Sequence, residues 1–254
     1  RKGCVLLRTA VESKTRGCEV SVRSMREKFR AESLGGPAHL GGQMTDVVGE
    51  YYREHHARGG RYDFSIEGTN RAAWFAERVS SRSGGTALEL LDIGCRDGTL
   101  TEMYAAGHKV VGIDVDPDAV ERARTKRGID ARRHDLNVQR LPFGDGAFDV
   151  VVAGEVLEHL QLPEVVVGEI RRVLRPGGVF LGSVPNAFRL RNRLLFLMGR
   201  DFEIDPTHLH QFSPAAVLKL LAQFKNVELE FRGGRRRDLH PRLMATQMYF
   251  SALV

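Results

Sequence analysis

Apolar residues along this chain fall into two alternating patterns. Continuous apolar runs, typical of strands that are buried on both faces, occur at 87–93, 109–114, 148–154 and 179–185, with weaker strand signals at 129–135 and 226–231. Apolar residues at helical spacing lie between these runs, at 118–127, 163–174 and 213–224, and a further helix is predicted to begin at Gly98. This alternation predicts an α/β fold with a mostly parallel sheet and helices on both faces.

Three further elements are predicted, one before this alternation, one within it and one after it. An amphipathic helix is expected at 67–81, with four apolar residues on one face: Ala72, Phe75, Ala76 and Val79. A second amphipathic helix at 187–199 belongs to a lid-like insertion near 187–212, which we expect to cover the active site. Residues 244–253 are expected to form a last, antiparallel strand.

Residues 1–43 differ in character from the rest of the chain. They carry nine Lys and Arg against four Asp and Glu, and therefore hold five of the six net positive charges. Without a sustained apolar period, they are predicted to be a poorly ordered leader. Met44 would make a natural start, so we interpret the leader as a cloning artefact or a misassigned start codon, with a basic arm for RNA as the alternative. Residues 44–254 are expected to be one domain.

Composition narrows the function classes. The hydrophobic content of 42% and charged content of 28% are typical of a folded globular protein. The three cysteines, Cys4, Cys18 and Cys95, have no CxxC spacing, which argues against a disulfide framework and a zinc site. No apolar run is long enough to span a membrane, and we expect a cytoplasmic location.

The segment LLDIGCRDGTL, residues 90–100, carries the strongest chemical signal. It reads as a buried strand followed by Asp92, Gly94 and Gly98 in a tight turn before a helix. Glycine permits unusual dihedral angles and close approach of a ligand to the backbone. Asp114, at the end of the next predicted strand, is placed to accept from both hydroxyls of a ribose. The pairing predicts a nucleoside site, of either a dinucleotide oxidoreductase or an adenosylmethionine enzyme.

The later segments HDLNVQRLPF, FDVVVAGEVLEHL and LRPGGVFLGSVPN favour the second class. With them, about residues 67–232 resemble the class I S-adenosylmethionine-dependent methyltransferase family, in particular the subgroup similar to ubiquinone-biosynthesis O-methyltransferases. The resemblance implies a Rossmann-like fold with a mostly parallel seven-stranded sheet, and S-adenosylmethionine as the cofactor.

The resemblance also implies roles for individual residues. Asp92, Gly94 and Gly98 would surround the methionine moiety, and Asp114 would hold the ribose. The adenine would meet Val115, Asp135 and Leu136, while Gly154 or Glu155 would lie near the sulfonium. Arg96 departs from the family, which usually has glycine there; we expect its side chain to point outward.

Glu155, Glu158 and His159 follow the fourth predicted strand at spacings i, i+3 and i+4, so one helical turn would bring them onto one face. Two interpretations of this segment stay open. In one, the three residues bind Mg²⁺ or Mn²⁺, as relatives with a similar segment suggest, with His208 or His210 as a further ligand. In the other, Glu158 and His159 act as a general base and its partner.

The predicted function is methyl transfer to a small molecule, most simply to a hydroxyl. One alternative is 2′-O-methylation of RNA, using Arg235, Arg236 and Arg237, although the near-neutral body favours small molecules. Another is a catalytically silent partner protein, for which Arg96 is the supporting feature. Peripheral membrane contact through the inserted helix stays open, as does the oligomeric state.

Overall fold

The computed structural model describes residues 37–59, 70–202, 205–234 and 239–254. The chain divides into two compact units, Arg1–Met44 and Thr45–Val254. The described part of the first unit is residues 37–44, which are helical. The second unit contains the sheet and every site discussed below.

Eight helices and seven strands make up the described regions. The helices are α1 (Pro37–Arg58), α2 (Asn70–Ser83), α3 (Glu102–Ala105), α4 (Pro117–Arg127), α5 (Pro163–Val173), α6 (Leu190–Leu197), α7 (Pro214–Leu220) and α8 (Pro241–Met244). The strands are β1 (Glu89–Ile93), β2 (Lys109–Asp114), β3 (Asp130–Arg133), β4 (Phe148–Gly154), β5 (Leu174–Pro185), β6 (Lys225–Arg232) and β7 (Gln247–Leu253). One turn of 3₁₀ helix spans Leu157–His159.

The seven strands form one sheet in the order β3-β2-β1-β4-β5-β7-β6. Neighbouring strands run parallel from β3 to β5, whereas β7 is antiparallel to both β5 and β6. This arrangement confirms the predicted α/β fold and the antiparallel last strand. Because β1 and β4 are neighbours at the centre, the loops that follow them open on the same edge of the sheet.

The central strands are buried on both faces, as their continuous apolar sequences predicted. On one face, α2 contributes Trp74, Phe75 and Val79 to a cluster that includes Leu90 and Tyr249. A larger cluster on the other face packs α5 and α7 against β4, β5 and β7. Burial of Ala72, Phe75 and Val79 confirms the apolar face predicted for α2, while Ala76 is half-buried.

Several predicted boundaries were wrong. The helix expected from Gly98 is reduced to the four residues of α3, because residues 98–100 are taken up by turns in which Asp97 accepts from the Thr99 hydroxyl at 2.9 Å. The inserted helix covers Leu190–Leu197 rather than 187–199. Strand β5 begins before Gly178, at Leu174, since Leu174 pairs with Phe148 of β4.

Residues 37–43, the end of the predicted leader, lie in α1, and the other residues of the leader lie outside the described residues. The helix ends at Arg58, where the Gly59 amide donates to the His55 carbonyl at 3.0 Å.

Two glycines, one in a tightly packed strand and one in a helix with open space beside it, provide a matched test of core packing. A Cβ atom at Gly182 of β5 would overlap the ring of Phe250, a fully buried residue on β7, whereas a Cβ at Gly168 of α5 has no atom within 4 Å. We expect Gly182→Ala to destabilise the protein by roughly 1–3 kcal/mol through overpacking. Gly168→Ala should stabilise it by roughly 0.5–1 kcal/mol, because alanine favours a helix interior. Urea denaturation of both variants measures the difference, and equal stabilities would contradict this account of the core.

Candidate active site

The turn after β1 is built around Gly94. Its φ of +71° lies in the left-handed region, and a Cβ atom there would overlap Val156. The amides of Gly94 and Cys95 both donate to the Ile113 carbonyl, at 2.8 and 3.1 Å. The turn is therefore tied to the end of β2, where Asp114 lies, and glycine is required at its first position.

Arg96 stands where the resemblance implies a glycine, and its backbone conformation is one that glycine adopts readily. Its φ is +50°, which a non-glycine residue adopts only at a cost in free energy. Its amide donates to Asp114 Oδ2 at 2.8 Å, and its Nε donates to Asp97 Oδ1 at 3.1 Å. The side chain is half-buried and paired with the fully buried Asp97. Its charge is thereby balanced by a neighbouring carboxylate.

A cavity of about 870 Å³ opens at the carboxyl ends of β1, β2 and β4. Its wall includes most of the residues predicted from the sequence to bind the cofactor: Gly94, Asp114, Val115, Asp135, Leu136, Gly154 and Glu155. Asp92 and Gly98 do not line it. Asp92 is buried beneath the turn and accepts from the Thr101 hydroxyl, and Gly98 packs against Ile129. Their positions are those of residues that support the turn.

Three carboxylates lie at or near this turn: Asp92 and Asp135 are buried, and Asp114 is half-buried. Burial raises the pKa of Asp92 to about 6, and it also raises the pKa of Asp114. Asp114 accepts the Asp116 amide at 2.9 Å in addition to the Arg96 amide. Asp135 accepts the Asn137 amide at 2.9 Å through Oδ1, while its Oδ2 is buried without a partner among the described residues. An unsatisfied buried acceptor on the cavity wall suits a donor from a ligand.

Glu158, His159 and His208 form a second group at this cavity. One donor atom from each lies within 4.8 Å of the other two, and His208 Nε2 is 4.0 Å from Glu158 Oε1. His159 and His208 line the cavity, and Glu158 lies behind them, fully buried. The insertion brings His208 here because the amides of Leu209 and His210 both donate to the Glu158 carbonyl, at 2.8 and 3.1 Å.

The protonation states in this group follow from burial. Desolvation and the neighbouring Glu155 raise the pKa of Glu158 well above its usual range, and neither carboxylate oxygen has a hydrogen-bond partner among the described residues. Burial and His208 lower the pKa of His159 to about 4, so its imidazole is neutral at pH 7. His159 Nδ1 lies 3.1 Å from the Thr207 carbonyl oxygen and 2.9 Å from its hydroxyl. Since the hydroxyl donates to Asp205, Nδ1 carries the proton and Nε2 presents a lone pair.

The helical turn predicted over residues 155–159 was wrong. Glu155 has a φ of +60° and lies outside the 3₁₀ turn, because its amide donates to the Ser183 carbonyl at 2.9 Å and continues the pairing of β4 with β5. Its carboxylate accepts from Ser183 and Gln247 at 2.9 and 3.2 Å and lies 3.4 Å from Arg71. Glu155 therefore lines the cavity without joining the group of Glu158, His159 and His208.

Helix α1 covers this cavity, which the sequence reasoning missed. Tyr52, His55 and His56 line the cavity, and His56 Nδ1 lies 2.8 Å from Asp116 Oδ2, at the N-terminus of α4. His55 Nε2 lies 3.4 Å from Asp205 Oδ2 in the insertion. Burial raises the pKa of Tyr52, whose ring meets His159 edge-on at 6.1 Å between ring centroids. The sequence signal that could have indicated this contribution to the cavity is the run of aromatic and histidine residues in YYREHH, at the start of the predicted domain.

Cys95, also singled out in the sequence, is among the residues that line the cavity. His210 does not line it, and its ring lies 5.9 Å from that of Phe212. Cys95 is buried against Gly112, where a Cβ would meet its sulfur at 2.7 Å, and this packing fits its interpretation as a small side chain in a tight turn. Arg235, Arg236 and Arg237 lie outside the described residues.

The length and apolar character of the helices bear on whether the chain could cross a membrane. None of the helices in the described ranges combines the length and apolar character that crossing a bilayer requires. Helix α6 and its C-terminal end expose Leu194, Phe196, Leu197 and Met198.

Comparison with known proteins adds independent evidence. A family model described as a methyltransferase domain matches residues 91–182. A probable S-adenosylmethionine-dependent methyltransferase of Mycolicibacterium smegmatis is 36% identical over 146 residues, which are 57% of this chain and 53% of that protein. A ubiquinone biosynthesis O-methyltransferase of Nitrosococcus oceani is 30% identical over 168 residues, which are 61% of this chain and 69% of that protein. The chain thus spans about half the length of the mycobacterial relative.

Among solved structures, a SAM-dependent methyltransferase from Archaeoglobus fulgidus superposes with a TM-score of 0.56 at 16% identity, covering 72% of this chain and 94% of that one. At such low identity the likeness shows the fold alone. The chain belongs to the class I S-adenosylmethionine-dependent methyltransferases.

Proposed function

We propose that this protein transfers a methyl group from S-adenosylmethionine to a hydroxyl group of a small molecule. The observation that carries the proposal is a single cavity of about 870 Å³ whose wall joins Asp114 and Asp135 to His159 and His208. One end offers acceptors for a nucleoside, and the other offers groups that can activate a hydroxyl.

The residues of the first end fit the cofactor. Asp114 would hold the ribose hydroxyls, and the unpartnered Oδ2 of Asp135 would accept from the adenine amino group. Val115 and Leu136 would provide apolar contacts to the base, and Gly94 lets the backbone approach the ligand. When bound, S-adenosylmethionine supplies the methyl group as an electrophile on a sulfonium. Glu155, on the same wall, would place a carboxylate near that positive charge.

The second end fits a divalent cation, held by Glu158, His159 and His208. Glu158 is buried, and among the described residues no group donates a hydrogen bond to either of its carboxylate oxygens. A bound cation would supply the positive charge that a buried carboxylate needs as a partner. His159 donates through Nδ1 to Thr207, which orients a bare Nε2 as the outer partners of metal-bound histidines do. When bound, such a cation lowers the pKa of an acceptor hydroxyl.

Helix α1 would enclose the reacting groups. Its link from His56 to Asp116 holds Tyr52 over the cavity, beside His159. An enclosed site excludes water from the electrophile and strengthens the electrostatic contacts within. We infer that methyl transfer requires this helix in its described position.

The cofactor site can be tested by titrating S-adenosylhomocysteine into the protein calorimetrically. We expect Asp114→Asn to weaken binding by roughly 10- to 100-fold, because hydrogen bonds to a charged group contribute about 1.5–3 kcal/mol. Asp118→Asn, at an exposed position of α4, is the matched control and should bind as the wild type does. Equal affinities of the two variants would contradict the assignment, provided that both melt cooperatively.

The cation site can be tested with Mn²⁺ followed by electron paramagnetic resonance. The wild-type protein should bind Mn²⁺, and Glu158→Gln should weaken binding by roughly tenfold or more, since it keeps the shape of the side chain but removes the charge. Glu164→Gln, on the exposed face of α5, should leave binding unchanged. Absence of Mn²⁺ binding to the wild type would leave Glu158 and His159 with the general-base interpretation.

A further inference from the structure

A second cavity of about 430 Å³ adjoins the first. The two share His55, Glu155, Asp205 and Gln247 on their walls. The second extends from these residues to the end of β5, the start of α6 and the side chain of Phe202. The second cavity is therefore a neighbour of the main one, with Glu155 on the wall common to both.

Arg189 is the only charged side chain among the described residues that line the second cavity and not the first. It has no acidic partner within the described ranges. Its Nε donates to Asn192 Oδ1 at 3.2 Å, and Asn192 is anchored in turn by donating to the Ala187 carbonyl at 3.0 Å. Burial and the nearby Arg191 lower the pKa of Arg189. The cavity wall thus carries a positioned, partly desolvated guanidinium whose terminal nitrogens have no carboxylate partner among the residues that the structure describes.

Asn186 adds a second polar group to this wall. Its side chain is buried, with 2% of its surface exposed, and its Nδ2 donates to the carbonyls of Arg242 and Ala245 at 3.0 and 3.1 Å. These bonds fix the orientation of the side-chain amide. Its other polar atom, Oδ1, is buried and has no hydrogen-bond partner in the described part of the chain. An unsatisfied buried acceptor calls for a donor from a bound molecule.

The carboxylates on the shared wall are already compensated. Glu155 accepts from Ser183 and Gln247 and lies 3.4 Å from Arg71. Asp205 accepts from Thr207 and lies 3.4 Å from His55 Nε2. Both described carboxylates of the shared wall thus already have partners, and an anion that enters the second cavity meets the guanidinium of Arg189 as the described cation without an acidic partner.

We propose that the second cavity binds the carboxylate of the methyl acceptor, with Arg189 holding the carboxylate through its guanidinium and Asn186 Oδ1 accepting from a hydroxyl of the same molecule. The acceptor is then a small hydroxycarboxylic acid, whose carboxylate stays unreacted while its other end reaches the main cavity. This inference rests on the proposed function, because it takes the occupant of both cavities to be the acceptor. A planar guanidinium suits this task, since it can bind both oxygens of a carboxylate at once.

Benzoate and benzamide form a matched pair of probes, because they have nearly the same shape and differ in charge. Binding of each to the protein loaded with S-adenosylhomocysteine is measured by saturation-transfer NMR and titration. We expect benzoate to bind roughly tenfold more tightly than benzamide to the wild type, as for a charge-assisted pair. Arg189→Gln should remove this preference, and Arg189→Lys should retain part of it. Arg191→Gln, at an exposed neighbouring position, should leave it intact.

The outcomes separate this proposal from the one on which it rests. Failure of S-adenosylhomocysteine to bind the wild type would count against the proposed function itself. Normal binding of S-adenosylhomocysteine with equal or undetectable binding of both probes would overturn the carboxylate site. It would also be overturned if the preference for benzoate survived in a folded Arg189→Gln protein or disappeared in Arg191→Gln.

Discussion

The hydrogen bonds between the turn after β1 and the end of β2 are the constraint on which the site depends. Two successive amides converge on the Ile113 carbonyl, and the next one, from Arg96, binds the carboxylate of Asp114. The geometry works because β1 and β2 are parallel neighbours and end at the same edge of the sheet. It also forces Gly94 and Arg96 into left-handed conformations. The strain at Arg96 is offset by the pairing of its side chain with the buried Asp97.

Across the cavity from this turn lie ionisable groups whose pKa values are shifted by burial and by neighbouring charges. Glu158 is enclosed without a donor to either oxygen among the described residues, whereas Glu155, only three residues away, has hydrogen bonds from Ser183 and Gln247. Two carboxylates from one short segment thus have different surroundings. In our proposal, Glu155 faces the sulfonium and Glu158 faces a cation, and the left-handed conformation of Glu155 is what separates them.

The covering elements connect distant parts of the chain to this chemistry. Helix α1 reaches the cavity through His55 and His56, and the insertion reaches it through Asp205 and His208. Contacts such as His55 with Asp205 link the two covers to each other. The second cavity lies at the base of the insertion, so the element that brings His208 to the main cavity also forms the wall on which we place the acceptor.

The sequence by itself determined the sheet and the cofactor turn, because both are local: continuous apolar runs specify buried strands, and the Asp92, Gly94 and Asp114 pattern lies at two strand ends. The tertiary structure decided three further features: the grouping of His208 with Glu158 and His159, the separation of Glu155 from them, and the lack of an acidic partner for Arg189 among the described residues. Each depends on contacts between residues far apart in the chain or on one backbone conformation, such as the amides of residues 209 and 210 binding the Glu158 carbonyl. Helical spacing predicted one face for residues 155–159, but the pairing of β4 with β5 overrode it, since a backbone bond to Ser183 holds Glu155 outside the turn.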